Sequence, residues 1–433
     1  MLVAEGAQGA YDCGVIRPND QRVVVTGLGV VAPNGIGRDA YIENCLAGVS
    51  GVSRYEGSEH VDLKTNAVAA VRGFDALSVM DLAESRRVPR MVHLALAASR
   101  EALGMARLDD IAPDDLERQR SIGVALGTGG GGLAFVEEQY RLLFTEGRAS
   151  LYSITAGTHG NLSSELSIAL KLRGPSHVLS TGCTSSTDAI GYATMLVRAR
   201  VVPMMLVGGA DAPIAPGILN AFEKMRVVST RRWDNPTAAS RPFDVDRDGF
   251  VLGEGAWMFV IETLEHALAR GAAPLVEIAG YGSTCDAFHR VQIAPDVVEP
   301  ARAIELALGS AGASAADLDY VNLHGTGTDL NDRMETLAMK KVLGTRAYDV
   351  PMSSTKSMIG HPQGACGAAG MAATILGMTR GRVHPTINLT TPDPACDLDY
   401  IPNTARDVSV NTALCNCIAF GSKNSAIVLR KMR

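Results

Sequence analysis

Apolar positions fall along this chain in short unbroken runs separated by amphipathic stretches, and the alternation begins at Gln21. RVVVTGLGVVAP (22–33) is a β-branched run stopped by Gly and Pro, and similar runs recur at SIGVALG (121–127), HVLST (177–181) and PMMLVGGAD (203–211). A strand with one face in water alternates apolar and polar residues, whereas unbroken runs mark strands buried on both faces. Between them, RMVHLALAASREALGMA (90–106) and FVEEQYRLLF (135–144) carry helical spacing. The order β, α, β, α predicts an α/β fold around a largely parallel sheet.

From about Pro274 the pattern restarts. LVEIAGYGST (275–284), a helix near 299–312, DYVNLHG (319–325) and a helix near 331–343 repeat the order of the first half. Gly-rich turns at the strand ends recur as well, GLG at 27–29 and GYG at 280–282, which points to internal duplication. The expected layout is an N-terminal half over 21–272 and a C-terminal half over 273–433, with residues 1–20, which lack sustained periodicity, as an N-terminal extension. No long Pro/Ser linker separates the halves, so they are expected to pack as one layered body, helices sandwiched between two sheets.

Composition narrows the class. At 433 residues, with 45 Gly and only 20% charged residues, the chain suits a compact body of tightly packed helices on a buried sheet. No apolar run reaches the roughly 18–20 residues that span a bilayer, and the first 20 residues lack the basic and apolar regions of a signal peptide. No membrane association and a cytosolic location are therefore expected. Eight scattered cysteines suggest reduced thiols rather than a disulfide framework. Cys415 and Cys417 have no second ligand pair, so they read as two residues on one face of a strand, and no metal is expected. A net charge of −6 argues against nucleic acid as the main partner and leaves room for a local basic docking patch.

Three turns carry candidate chemistry. In HVLSTGCTSSTDAIGYATMLV (177–197) an apolar strand meets a small-residue turn, and a helix begins right after Cys183. A thiol at a helix N-terminus meets unpaired N–H groups and the positive end of the dipole, which lower its pKa and favour nucleophilic attack. A buried packing cysteine is the plain alternative, and this segment alone leaves both readings open. YVNLHGTGTDLND (320–332) sets His324 at a strand end among Gly and Thr, where a thin ligand can approach; taken alone, a lone histidine is more often structural. MSSTKSMIGHPQGACGAAGMAATIL (352–376) sets Lys356 and His361 around a bend before a small-residue helix. Ligands of parallel α/β sheets gather at the carboxyl ends of strands, so the three turns are expected to converge, one thiol with two imidazoles, as a nucleophile beside donors for an oxyanion.

Taken in order, the motifs VVVTGLGVVAPNG, TGCTSS, RPFDVDRDGFVLGEGA (241–256), LHGTGT, SSTKSMIGH and AFGSKNSA (419–426) are similar to those of the β-ketoacyl-acyl-carrier-protein synthases of the thiolase fold, elongating type II, from about Arg22 to Lys431. The resemblance implies a layered α-β-α-β-α fold of two duplicated halves. It implies that Cys183 takes an acyl chain from a carrier protein's phosphopantetheine, with the backbone N–H groups of Cys183 and Phe420 as oxyanion hole. It also implies that His324 and His361 hold the malonyl thioester carbonyl during loss of carbon dioxide, while Lys356 organises His361 and the local electrostatics. Thr326 and Thr328 would hydrogen-bond the pantetheine arm, Phe250 and Phe420 would border the substrate, and Arg226 lies where the family often has a carrier-docking arginine. No cofactor is implied on the chain itself.

Cys/His/His separates the chain from thiolases, which use a second catalytic cysteine, and from initiating synthases, which use His and Asn. Cys183 likewise argues against a noncatalytic chain-length factor, and a scaffolding partner that has lost turnover stays as the alternative of another class. STGCTSSTDAIG (180–191), NDRMET (331–336) and PDPACDLDYIP (392–402) are similar to ketosynthase subunits of type II polyketide systems, which favours polyketide or specialised polyene/acyl synthesis over housekeeping fatty-acid elongation. The resemblance implies a dimer, with another copy or with a chain-length factor. Three departures stand out. The family's gating motif GFGGTN is AFGSKN here, with Ala419, Ser422 and Lys423; a glutamate usual nine residues after the second histidine is Gly370; and a pocket-floor isoleucine aligns with Gly130, which implies room for a longer or bulkier chain.

Overall fold

The computed structural model describes residues 17–57, 61–112, 114–231 and 234–432, so most of the expected N-terminal extension lies outside the described residues. Ten strands frame the body. In chain order they are β1 Val23–Ala32, β2 Ile122–Gly127, β3 Ser176–Leu179, β4 Met204–Asp211, β5 Gly255–Thr263, β6 Val276–Cys285, β7 Tyr320–Asn322, β8 Met352–Ser353, β9 Thr412–Ala419 and β10 Lys423–Lys431. The first five lie in the order β1-β5-β4-β2-β3 and the second five in the order β6-β10-β9-β7-β8, the same permutation twice. A short antiparallel pairing of β1 with β6, Val23 opposite Ile278 and Val25 opposite Val276, links the two sheets.

Each half is largely parallel with one opposed strand: β5 pairs antiparallel with both β1 and β4, and β10 pairs antiparallel with both β6 and β9, while β2, β3 and β4, and likewise β7, β8 and β9, run parallel. An unbroken apolar run reports burial of both faces, and β5 is buried throughout although its neighbours oppose it. Strand direction leaves no trace in such a run.

Eight principal helices pack on this frame: α1 Arg90–Met105, α2 Leu133–Glu146, α3 Asn161–Leu170, α4 Ser185–Arg198, α5 Pro216–Met225, α6 Val298–Ala311, α7 Asp329–Leu343 and α8 Cys366–Arg380. The main core cluster joins Ala189 and Ile190 of α4 and Ala372 and Ile375 of α8 to strands of both halves, including Val25, Val207 and Ile427, so these two helices form the middle layer. Residues of α1 and α3 cover the N-terminal sheet from outside, and residues of α6 and α7 cover the C-terminal sheet. Small side chains let the middle helices meet: a Cβ at Gly367 would lie 2.0 Å from Thr187 Oγ1.

Glycines at 27, 29, 280 and 282 sit in mid-strand rather than in terminal turns. Their cause is close approach of a helix. A Cβ at Gly27 would lie 2.1 Å from the Ala102 carbonyl oxygen of α1, and one at Gly280 would lie 2.1 Å from the Ala307 oxygen of α6. Among the described residues no helix is long and apolar enough to cross a membrane.

Candidate active site

The carboxyl ends of β2, β3, β4, β7, β8 and β9 open on one region, and the three reactive turns leave from there. Cys183 occupies a 3₁₀ turn, Gly182–Thr184, between β3 and α4. Gly182 has φ +71°, and a Cβ there would press on Ala419 Cβ at 3.3 Å, so the elbow needs glycine. Ser185 fastens it, accepting from Thr181 N at 2.9 Å and donating to Gly182 O at 2.5 Å. The thiol is buried, and burial pushes its pKa above the ordinary cysteine value, with Cys366 adding to the rise; the Lys356 charge and the Phe420 N–H act the other way. The lowering expected at a helix start is thus outweighed by desolvation.

His324 lies just past β7, and two carboxylates from α7 shape its turn. Glu335 accepts from His324 N and Gly325 N, both at 2.7 Å, and from Asn416 Nδ2 at 2.6 Å. Asp332 accepts from Thr326 N at 3.1 Å, Gly327 N at 3.2 Å and Phe243 N at 2.8 Å. The two threonine hydroxyls, Thr326 and Thr328, meet at 2.9 Å. The third turn crosses to the second: Lys356 Nζ donates to the His324 carbonyl oxygen at 2.6 Å, and Ser354 Oγ donates to Gly325 O at 2.6 Å. Lys356 therefore hydrogen-bonds at His324 and reaches His361 through its charge alone. His361 is held by its backbone, its N donating to Val251 O at 2.7 Å and its O accepting from Gly253 N at 3.0 Å.

These turns bring the Cys183 sulfur and a ring nitrogen of each histidine within 4.8 Å of one another. The two imidazoles meet edge to face, centroids 5.4 Å apart, and Phe250 packs on His361 at 5.0 Å. Burial pushes both imidazoles well below the ordinary histidine value, helped by the Lys356 charge and, at His324, by His361. Both rings are therefore neutral near pH 7, each with one N–H to give. His324 Nδ1 faces Cys417 Sγ at 3.4 Å, and His361 Nδ1 is buried with no hydrogen-bond partner among the described residues.

A cavity of about 250 Å³ opens above this cluster, lined by Cys183, His324, His361, Phe250, Thr326 and Thr328, with Phe420 and the exposed Arg226 on its walls. Phe420 tops the three-residue connection between β9 and β10, where Ala419 pairs with Lys423. Ala419 and Lys423 thus close a strand ladder, a place that does not call for glycine. Ser422, at φ +64°, donates to His289 O at 2.8 Å and accepts from His289 N at 3.2 Å, which ties the hairpin to the neighbouring loop.

Gly370 faces Asn322: a Cβ there would lie 2.2 Å from Asn322 Oδ1, and the Asn322 amide is spent on Thr355 at 3.0 Å and His384 at 3.1 Å. Gly130 is not on the cavity wall. Its N–H donates to Asp211 at 2.9 Å, and a Cβ there would meet Pro213 at 3.2 Å.

Sequence reasoning missed Asp211, Asp332 and Glu335, and the contact of Cys366 and Cys417 behind His324. A signal existed for two of the acids: Asp332 lies in the first turn of the helix after LHGTGT, where a carboxylate suits the dipole, and Asp211 ends an otherwise apolar buried run. Chemically, a buried thiol beside two neutral imidazoles can hold an acyl group and stabilise a developing oxyanion.

Comparison with known proteins gives the same picture. Residues 20–267 match the family "Beta-ketoacyl synthase, N-terminal domain" and residues 275–390 match "Beta-ketoacyl synthase, C-terminal domain". The chain is 39% identical to 3-oxoacyl-[acyl-carrier-protein] synthase 2 of Synechocystis sp. over 415 residues, 95% of this chain and 98% of that one. Among solved structures, a type II polyketide synthase ketosynthase bound to its acyl-carrier protein (AntDE:AntF) superposes with TM-score 0.86 at 34% identity, covering 96% of this chain and 100% of that one. The ishigamide ketosynthase/chain length factor superposes with TM-score 0.86 at 31% identity over 96% and 100%.

Proposed function

The chain belongs to the β-ketoacyl synthase family, and from that premise we propose that it condenses a Cys183-bound acyl chain with a malonyl unit carried by an acyl carrier protein, with His324 and His361 as its partners. The observation that carries the reading is the meeting of one sulfur and two imidazole nitrogens within 4.8 Å in one cavity.

In the first half-reaction the Cys183 sulfur attacks the acyl thioester of the carrier, the bond from the acyl carbon to the phosphopantetheine sulfur breaks, and the departing phosphopantetheine sulfur takes up the proton that Cys183 gives up. That proton is costly to remove from a buried site, and the Lys356 charge and the Phe420 N–H favour the thiolate. In the second, the malonyl carbon–carboxylate bond breaks, its electron pair moves into the thioester, and carbon dioxide departs. N–H groups of His324 and His361 hold the resulting oxyanion; a preorganised donor of this kind is worth about 2.7–4 kcal/mol. The carbon so formed attacks the Cys183 thioester, the second oxyanion sits at the backbone N–H groups of Cys183 and Phe420, and the Cys183 sulfur leaves. Neutral imidazoles suit this task, because a donor that keeps its proton can stabilise charge at each turnover.

Thr326 and Thr328 on the cavity wall fit the pantetheine arm, and Arg226 at its exposed edge fits contact with an acidic carrier. Partnering with a second ketosynthase-like subunit is supported by β3, a partly exposed outermost strand, and by the apolar side chains of Phe144, Leu151 and Ile154, which are 83%, 87% and 78% exposed. The stretches 180–191, 331–336 and 392–402 favour a type II polyketide or specialised polyene pathway over housekeeping elongation.

His324→Ala and His361→Ala test the reading in single-turnover assays with purified carrier proteins. Both variants should still acylate and should decarboxylate malonyl carrier about 100-fold more slowly or worse. Undiminished decarboxylation in both removes the proposed oxyanion role.

A further inference from the structure

Cys366 and Cys417 take no part in the chemistry above, yet they lie against it. Cys366 opens α8 and Cys417 lies on β9, and they are 3% and 1% exposed. Their sulfurs are 3.7 Å apart, and Cys417 Sγ is 3.4 Å from His324 Nδ1. Both thiols also approach the Cys183 carbonyl oxygen, at 3.2 and 3.1 Å. Ligand atoms of His324, Cys366 and Cys417 all fall within 4.8 Å of one another. Cys415, two residues along the same strand, stands apart against Thr374.

These separations have a chemical meaning. A tetrahedral zinc ion has bonds of about 2.3 Å to thiolate and about 2.05 Å to imidazole, which place two sulfurs about 3.75 Å apart and a sulfur and a nitrogen about 3.55 Å apart. The observed 3.7 and 3.4 Å match two of the three edges to within about 0.2 Å, and the third, from Cys366 Sγ to His324, lies within 4.8 Å, so side-chain movement that closes this edge would seat an ion. Three soft or borderline donors that share one buried point are a rarer arrangement than a packing pair of cysteines.

We propose that Cys366 Sγ, Cys417 Sγ and His324 Nδ1 form a binding site for a thiophilic d¹⁰ cation such as Zn²⁺, with the Cys183 carbonyl oxygen on its fourth side. Binding exchanges the two thiol protons for the ion, so two thiolates and one neutral imidazole around a divalent cation leave the buried cluster with no net charge. The ion would hold the His324 ring by its inner nitrogen and tie β9 to the start of α8, behind the cavity rather than in it. The site stands independently of the reaction assigned to Cys183.

The test is titration of the reduced, full-length protein with Cd²⁺, read by cadmium–thiolate absorption in the near ultraviolet and by native mass spectrometry. The expected result is saturation at one ion per chain, a mass gain of one cadmium less two protons, and a band retained in Cys183→Ala. Cys366→Ser and Cys417→Ser should each weaken binding by at least tenfold. Because a serine in the core can disturb folding, alkylation of the unmutated protein is mapped in parallel: Zn²⁺ should slow labelling of Cys366 and Cys417 together. Absence of a band, a band unchanged in both serine variants, or a band lost in Cys183→Ala overturns the proposal, the last by placing the ion among Cys183, His324 and His361 instead.

Discussion

Asp211→Asn tests how the glycine-rich turn after β2 is locked to the turn that carries His361. The Asp211 carboxylate accepts from Gly129 N at 2.8 Å, Gly130 N at 2.9 Å, Gly131 N at 3.1 Å, Gly364 N at 2.8 Å and Thr128 Oγ1 at 2.7 Å. Burial pushes the carboxyl up in pKa, and these donors hold it down. Asparagine keeps the shape but offers one acceptor oxygen. In its better orientation that oxygen replaces Oδ1 and retains Thr128, Gly130 and Gly131, which leaves the NH₂ group facing the N–H groups of Gly129 and Gly364. A buried donor without an acceptor costs about 1–3 kcal/mol, so the change should cost about 2–6 kcal/mol. Thr128→Val is the control: it removes one of five donors and should cost about 1 kcal/mol. Urea unfolding of the two variants side by side should show Asp211→Asn losing several times more stability. Gly364 follows His361 by three residues, so condensation should fall more than acylation. An Asp211→Asn protein within about 0.5 kcal/mol of the unmutated chain, condensing at the same rate, refutes the reasoning.

Other consequences can be measured. Lys356→Met removes a charge that depresses both imidazoles, so their pKa values rise and the acid limb of the decarboxylation pH profile should move to higher pH; a limb that stays in place contradicts the electrostatic role. Ser422→Gly deletes the hydroxyl bonds to His289, worth about 1 kcal/mol, and should raise amide exchange through residues 419–424 by several-fold; unchanged protection would show that Ser422 does not tether the hairpin. Phe144→Glu with Leu151→Glu should shift the protein to a smaller species in sedimentation, since both side chains are among the most exposed large apolar groups of the described residues; an unaltered oligomer places the partner elsewhere. Gly370→Ala should cost about 1–3 kcal/mol in unfolding assays, because its Cβ would lie 2.2 Å from Asn322 Oδ1.

Much of the frame was legible because burial leaves its mark on sequence. Runs at 22–33, 203–211 and 275–284 became β1, β4 and β6 almost residue for residue, and the restart near Pro274 appears as a strand order repeated in each half. Direction was not legible: β5 and β10 oppose their neighbours, and nothing in a doubly buried run reports that. In the candidate site, what was legible was the convergence of three turns that follow strands, those that carry Cys183, His324 and His361. The site was illegible where the outcome depends on competition or on distant contact. The helix start favours the Cys183 thiolate, but only burial depth decides the net direction. No local pattern reports that Gly130 abuts Pro213 and Asp211, some 80 positions away. Cys366 and Cys417 are 51 positions apart, and no local pattern announces that their sulfurs meet behind His324.

The most direct test of the central claim is intact-protein mass spectrometry after incubation with an acyl carrier protein loaded with a fatty acyl group. The unmutated chain should gain one acyl mass, mapped to the peptide that contains Cys183, and lose it when malonyl carrier is added and a carrier-bound β-ketoacyl product forms. Cys183→Ala should gain no mass. An acyl adduct that persists in Cys183→Ala, or condensation that proceeds in that variant at the rate of the unmutated protein, contradicts the assignment of Cys183 as the acyl-holding nucleophile.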